Sequence, residues 1–186
     1  MYSSVLLATP RLIVQPLERE HIPHIIAYYL ENKDYLSTFE PLRAENFYTA
    51  EYWNQIMDTI SIGGNHSLRF LIFHRDNLEK IIGVINVTNI TRGAFHACNI
   101  GYNLASTQTG NGYMTEALKV VIDYLFQKLN IHRIQANYLP HNQKSAKLLK
   151  SLGFRIEGYA YDYLMINGKW EDHILSSLVN NGWKIS

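Results

Sequence analysis

The chain has 186 residues, 47% of them hydrophobic, a formal charge of +1 and a single cysteine. That length and apolar content suit one packed domain over 1–186, and the near-zero charge gives no field to gather nucleic acid or an acidic membrane. Cys98 has no partner for an internal disulfide, no apolar run is long enough to span a bilayer, and no cleavable leader precedes Pro10, so a cytoplasmic protein without membrane or direct nucleic-acid binding is expected.

Leu12 to Leu17 reads as a strand ending near Pro16. From Glu18 a helix is predicted: Ile22, Ile25, Ile26, Tyr29 and Leu30 repeat at helical spacing, and Pro23 is tolerated in a first turn. Between Asn32 and Tyr48 the periodicity fails although the segment is rich in Tyr, Leu and Phe, which suggests a binding loop. Thr49 is placed to cap a second helix carrying Tyr52, Trp53, Ile56, Met57 and Ile60 and ending at Gly63-Gly64. Leu68 to His74 and Lys80 to Val87 flank Asp76-Asn77 as a hairpin, and a third run covers Ala97 to Leu104. A long amphipathic helix follows, with Ala117, Leu118, Val121, Ile122 and Leu125 on one face. Arg133 to Tyr138 is a strand stopped by Pro140, Ser145 to Leu152 is a short helix stopped by Gly153, and Phe154 to Ile166 pairs with Lys169 to Leu178 around Asn167-Gly168. The order implies an α/β fold of α+β type, a mixed sheet with helices packed on it.

Thr109-Gly110-Asn111-Gly112-Tyr113-Met114 joins the third strand run to the long helix. Two glycines permit a sharp turn and close approach of a ligand, and the following helix offers unpaired N–H groups at its positive end. A plain strand-to-helix connection remains the competing reading. No Gly-Lys-Ser/Thr follows, so a nucleoside triphosphate is unsupported, and a dinucleotide fingerprint also fails. A diphosphate on a thioester-bearing cofactor fits better. A second constellation places Asn142 just before the short helix and Gly153-Phe154 at its close.

Together these elements resemble the GNAT acyl-CoA N-acyltransferase family. Arg92-Gly93-Ala94-Phe95-His96-Ala97-Cys98, Ile131-His132-Arg133-Ile134, Pro140-His141-Asn142, Glu157-Gly158-Tyr159 and Trp170-Glu171-Asp172-His173 resemble its RimJ branch of ribosomal-protein-alanine N-acetyltransferases, alongside the RimL-like members. The resemblance implies a mostly antiparallel sheet splayed at the cofactor site. It implies acetyl-CoA as cosubstrate and a protein N-terminus as acceptor, a ribosomal protein beginning with Ala, with ribosome association a further expectation, while the eight histidines show no metal-ligand spacing and no metal site is expected. A small-amine acetyltransferase, acting on a polyamine or antibiotic, and a noncatalytic CoA-binding assembly factor are the other readings. By resemblance, Thr109, Gly110, Asn111, Gly112, Tyr113 and Met114 hold the diphosphate, backbone amides around Tyr102 and Leu104 polarise the thioester carbonyl, and Asn142 holds the pantetheine arm.

Two positions depart from the family pattern. Thr109 stands where a long polar side chain usually closes the loop, and Leu149 stands where many members carry the tyrosine that protonates the leaving thiolate. Ser145 takes that role by analogy with RimL-like relatives, with a local helix-start hydrogen bond as its competing use. Glu40, His96 and Asp162 are the candidates for base or amine anchor; Glu40 is taken because it lies in the loop where family members build the acceptor site, with a solvated loop carboxylate as its competing reading. His96 and Cys98 would share a strand face by alternation, which allows a Cys-His nucleophile only formally, since no third orienting group is evident. Asp172 and His173 are adjacent on a strand and point to opposite faces.

Overall fold

A computed structural model describes residues 5–62 and 67–185, with backbone alone at 60–62. The Gly63-Gly64 helix stop therefore lies outside the described residues. Eight strands form one sheet in the order β1-β2-β3-β4-β5-β6-β8-β7. They are β1 (Leu7–Ala8), β2 (Leu12–Pro16), β3 (Leu68–His74), β4 (Asn77–Thr91), β5 (Ala97–Leu104), β6 (Arg133–Tyr138), β7 (Arg155–Ile166) and β8 (Lys169–Val179). The helices are α1 (Ile22–Glu31), α2 (Lys33–Ser37), α3 (Ala50–Ile62), α4 (Tyr113–Gln127) and α5 (Gln143–Ser151).

Each face of the sheet has its own core, because alternate residues of a strand point to opposite sides. On one face Leu12, Val14, Phe70, Ile72, Ile85, Val87 and Ile134 pack against Ala117, Leu118, Val121, Ile122 and Leu125 of α4 and Leu149 of α5. The amphipathic period read in α4 is the buried stripe of that helix. On the other face Leu71, Phe73 and Val84 meet Ile22, Ile25, Tyr28 and Tyr29 of α1 and the fully buried Trp53 of α3. Thr49 Oγ1 accepts from Tyr52 N at 3.3 Å, as expected of a cap.

The segment from Asn32 to Tyr48 is more ordered than its lack of periodicity implies. It contains α2 and a 3-10 turn at Glu45–Tyr48. The order comes from tertiary contacts: Leu36 and Phe47 are buried, and Phe47 accepts a hydrogen bond from Trp53 Nε1 at its carbonyl, 2.9 Å away. β4 is also longer than the run from Lys80 to Val87, starting at Asn77 and reaching Thr91.

One feature of the sheet creates an opening. β5 and β6 are parallel and pair only at Ala97↔Arg133, Cys98↔Ile134 and Asn99↔Gln135. Beyond Asn99, β5 stays paired with β4 as far as Leu104, while β6 stays paired with β8 as far as Tyr138. The two strands diverge into a wedge whose walls are residues 100–104 and 136–138.

Candidate active site

The wedge exposes one edge of β5. Ala105 N donates to Ile82 O at 2.8 Å, which makes Ala105 and, by the antiparallel alternation, Asn103 and Gly101 the residues that bond β4. The N–H and C=O groups of Tyr102 and Leu104 then point into the wedge. Beyond β5 the glycine turn presents more donors. Among the described residues, no backbone or side-chain acceptor pairs with the N–H groups of Gly110 through Thr115. Gly110 has φ +86° and Gly112 φ +76°, so both glycines sit in the left-handed region that L side chains avoid, Gly112 as the N-cap of α4. Thr109 Oγ1 donates to Ser106 O at 3.0 Å and closes the preceding turn.

The loop is closed from outside by a residue that sequence reasoning did not single out. Arg11 Nη1 donates to Asn111 O at 3.0 Å, its Nε donates to Glu116 Oε2 at 2.7 Å, and its guanidinium lies 4.6 Å from the Tyr113 ring centroid. Glu116 also accepts from Thr9 Oγ1 at 2.5 Å. Burial opposes ionisation of Glu116, but bonds from Thr9 and Arg11 outweigh it and hold the carboxyl below its ordinary range. A long polar side chain thus reaches the loop from the turn before β2, 100 residues upstream of the Asn111 carbonyl it holds.

On the α4 and α5 side of the wedge, Tyr102 Oη and Ser145 Oγ are 2.6 Å apart. Ser145 sits in the first turn of α5, whose N-cap Asn142 accepts from Ser145 N at 3.1 Å. The two residues therefore meet in one turn: the Asn142 oxygen caps the helix, and the Ser145 hydroxyl faces a tyrosine instead of a local backbone group. Leu149 is buried in the core, so the tyrosine hydroxyl comes from β5 instead of from α5. Burial pushes the Tyr102 hydroxyl up to about 12, opposed by its bond with Ser145, and it stays protonated at any cellular pH.

On the α1 side, Asn103 gathers a second cluster. Tyr28 Oη donates to Asn103 Oδ1 at 2.8 Å, and Asn103 Nδ2 donates to Glu40 Oε1 at 2.6 Å. Glu40 Oε2 accepts from Arg43 Nη2 at 2.9 Å, and Asn167 N, at the tip of the β7-β8 hairpin, donates to the Glu40 carbonyl at 3.2 Å. Burial first raises the pKa values of both Tyr28 and Tyr29; Tyr29 and then Glu40 add to it at Tyr28, and Glu40 adds to it at Tyr29. Glu40 is thereby brought to the wedge from a loop that is distant in sequence. Asn103 is one of two asparagines in the β5 run, and only its buried position in the fold distinguishes it from Asn99.

The other candidates lie elsewhere. Cys98 is fully buried, and burial drives its thiol up to about 12. His96 precedes β5 with φ +41° and turns its Nδ1 to the Gly93 carbonyl, so the expected shared strand face with Cys98 does not form. Asp162 occupies a bulge in β7 at φ +44°, where its N–H is held by Asp172 Oδ1 at 2.9 Å. Asp172 also accepts from Tyr159 Oη at 2.6 Å, while His173 turns to the Glu171 carbonyl, so the two do not act together. Among the described residues no group of three or more His, Cys, Asp or Glu side chains is arranged to hold a metal ion, and no helix is long and apolar enough to cross a membrane.

The sequence that builds this wedge, its glycine turn and its pair of hydroxyls matches a known family. Residues 11–155 match the acetyltransferase (GNAT) domain. The chain belongs to the GNAT acetyltransferase family. It is 41% identical to the ribosomal protein uS5-alanine N-acetyltransferase of Escherichia coli strain K12 over 180 residues, 96% of this chain and 93% of that protein. The crystal structure of ribosomal-protein-S5-alanine acetyltransferase from Vibrio fischeri superposes with a TM-score of 0.91 at 39% identity, covering 98% of this chain and all (100%) of that one. Mycobacterium smegmatis RimJ in complex with CoA-disulfide superposes at 0.83 with 28% identity, covering 94% of this chain and 85% of that one.

Proposed function

We propose that this chain, acting as one domain over 1–186, transfers acetyl from acetyl-CoA to the N-terminal α-amine of a protein, a ribosomal protein beginning with Ala, in the cytoplasm. The relatives similar over almost the whole chain support the acceptor, since the names of two of them specify an alanine of ribosomal protein S5 (uS5). The observation that carries the reading is the two-sided wedge, with free amides and hydroxyls on one side and Glu40 on the other.

The unpaired N–H groups from Gly110 to Thr115 suit a diphosphate, and the free edge of β5 suits an extended amide-bearing arm. Acetyl-CoA brings the thioester carbonyl as the electrophile. The inward N–H groups of Tyr102 and Leu104 are placed to receive the oxyanion that develops there. An α-amine has a pKa of about 8, so a fraction is neutral without a strong base, and the Glu40 carboxylate, reached directly or through water, orients it and takes its proton. The amine attacks the carbonyl carbon, the C–S bond breaks, and the sulfur takes a proton from Ser145, which takes one from Tyr102; solvent restores that proton to the pair as Glu40 releases the amine's proton to solvent. The buried, high-pKa thiol of Cys98 takes no part, so transfer is direct.

A free polyamine is a poorer acceptor for this wedge. It needs an acidic pocket, and the Glu40 carboxylate is already neutralised by Arg43. The test is incubation with acetyl-CoA and purified ribosomal proteins, followed by intact-mass measurement and N-terminal peptide mapping. One added acetyl on the terminal Ala of one protein is expected; acetylation confined to lysine side chains, or none, would overturn the reading.

A further inference from the structure

Arg69 of β3 lies on the acceptor side of the sheet with its charge incompletely matched. Nε donates to Asn86 Oδ1 at 2.5 Å, and the guanidinium carbon is 4.8 Å from the Trp53 ring centroid. Nη1 is enclosed and has no hydrogen-bond partner. Among the described residues Nη2 has none either, and no carboxylate pairs with this side chain. The carboxylate of Glu40 is held by Arg43 and Asn103. Burial lowers the Arg69 pKa, as expected of a cation short of compensation.

The strand register connects this cation to the wedge. Arg69 is opposite Asn86, and Asn86 is opposite Gly101. Gly101 shares a face with Asn103 two residues on, is exposed, and has no atom within 4 Å of where a Cβ would be. The row that starts at the half-buried Arg69 thus ends, two strands away at Gly101, in open space next to the residue that holds Glu40. An acceptor whose amine lies at Glu40 and whose chain runs extended along this face advances about 7 Å for every two residues, which brings its third or fourth residue level with Arg69.

We propose that Arg69 binds an acidic side chain at the third or fourth position of the acceptor, making the enzyme selective for N-termini that carry a carboxylate there. This rests on the reading of the substrate as a protein N-terminus. A carboxylate supplies the anion that Arg69 lacks, accepts from the guanidinium fork, and exploits the excess of two guanidiniums over one carboxylate on this side of the wedge.

The test uses Ala-initiated peptides in which Glu is moved through positions 2 to 5, each compared with its Gln counterpart. For the full-length enzyme, kcat/KM is expected to favour Glu over Gln by about ten- to a hundred-fold at position 3 or 4, and the preference should shrink with added salt. In Arg69→Gln the ratio should fall to about one, and in Arg69→Lys, which keeps the charge but loses the planar fork, it should recover in part. A ratio near one at every position in the wild type, or an equal ratio in wild type and Arg69→Gln, would overturn the proposal while leaving N-terminal acetylation standing. Failure to acetylate any of the peptides would overturn both. Should Arg69→Gln not fold, having lost its packing on Trp53, the wild-type ratio and its salt dependence decide.

Discussion

Tyr102→Phe removes one oxygen from the 2.6 Å contact with Ser145 and leaves the Ser145 hydroxyl without that partner. If the pair delivers the proton to the departing thiolate, the loss falls on kcat and spares the KM for acetyl-CoA, because the interaction strengthens only as the C–S bond breaks. General acid catalysis contributes about 10²- to 10⁴-fold, and water can replace part of it, so a fall of about ten- to a thousand-fold, or roughly 1.4–4 kcal/mol, is expected for Tyr102→Phe and for Ser145→Ala. The double variant separates a relay from two independent contributions. In a relay either deletion breaks the chain, so the double loses about as much as the worse single; independent groups give multiplied losses. The assay is single-turnover acetyl transfer to an Ala-initiated peptide, which isolates chemistry from product release. Full kcat in both single variants would refute the proton-delivery role. Since burial raises the Tyr102 hydroxyl to about 12, activity should also show no loss from its ionisation near pH 10, where an ordinary tyrosine titrates.

Arg11→Ala should weaken CoA binding measured by calorimetry, since it frees the Asn111 carbonyl and the face of Tyr113, and unchanged affinity would show that the glycine turn holds itself. Glu116 has a lowered folded-state pKa, so its contribution to stability is present above about 4.5 and lost as pH falls through the lower folded value; Glu116→Gln should flatten that part of the acid unfolding profile. Gly112→Ala should cost about 1–2 kcal/mol of stability, because φ is +76° there and an added Cβ, 3.6 Å from Arg11 Nη2, meets no hard clash; a denaturant midpoint equal to wild type would contradict the assigned backbone strain. Trp53→Ala should lose about 3–5 kcal/mol, as the indole is fully buried between Arg69 and Tyr29 and donates to Phe47 O.

Much of the fold is legible where neighbours in sequence settle the matter. The apolar period of α4, the strands at Ala97–Leu104 and Arg133–Tyr138, and the Asn167-Gly168 turn each depend on local spacing or local φ preference, and each is present. The ordered segment from Asn32 to Tyr48 escapes such reading because its shape depends on Phe47 packing under Trp53 of the next helix and on Glu40 meeting Asn103 of β5, 63 residues away, contacts that no periodic spacing encodes. The site divides in the same way. The glycine turn and Asn142 announce themselves by residue type before a helix. Tyr102 beside Ser145 and Arg11 beside Asn111 join residues 43 and 100 apart, and no spacing rule links them. Ser145 and Glu40 came from family resemblance, and their surroundings, the Tyr102 hydroxyl and the Asn103 amide, came only with the fold.

The central claim, acetyl transfer to a protein N-terminus across the wedge, is tested most directly by comparing kcat/KM for an Ala-initiated ribosomal-protein peptide and for spermidine, with acetyl-CoA saturating in both. The neutralised Glu40 and the added cation of Arg69 lead to a preference of at least about a hundred-fold for the peptide, with the acetyl mapped to its α-nitrogen, as expected when one acceptor meets like charge that costs roughly 3 kcal/mol or more. Equal or better turnover of spermidine, or acetyl found on a lysine instead of the terminal alanine, would contradict the account.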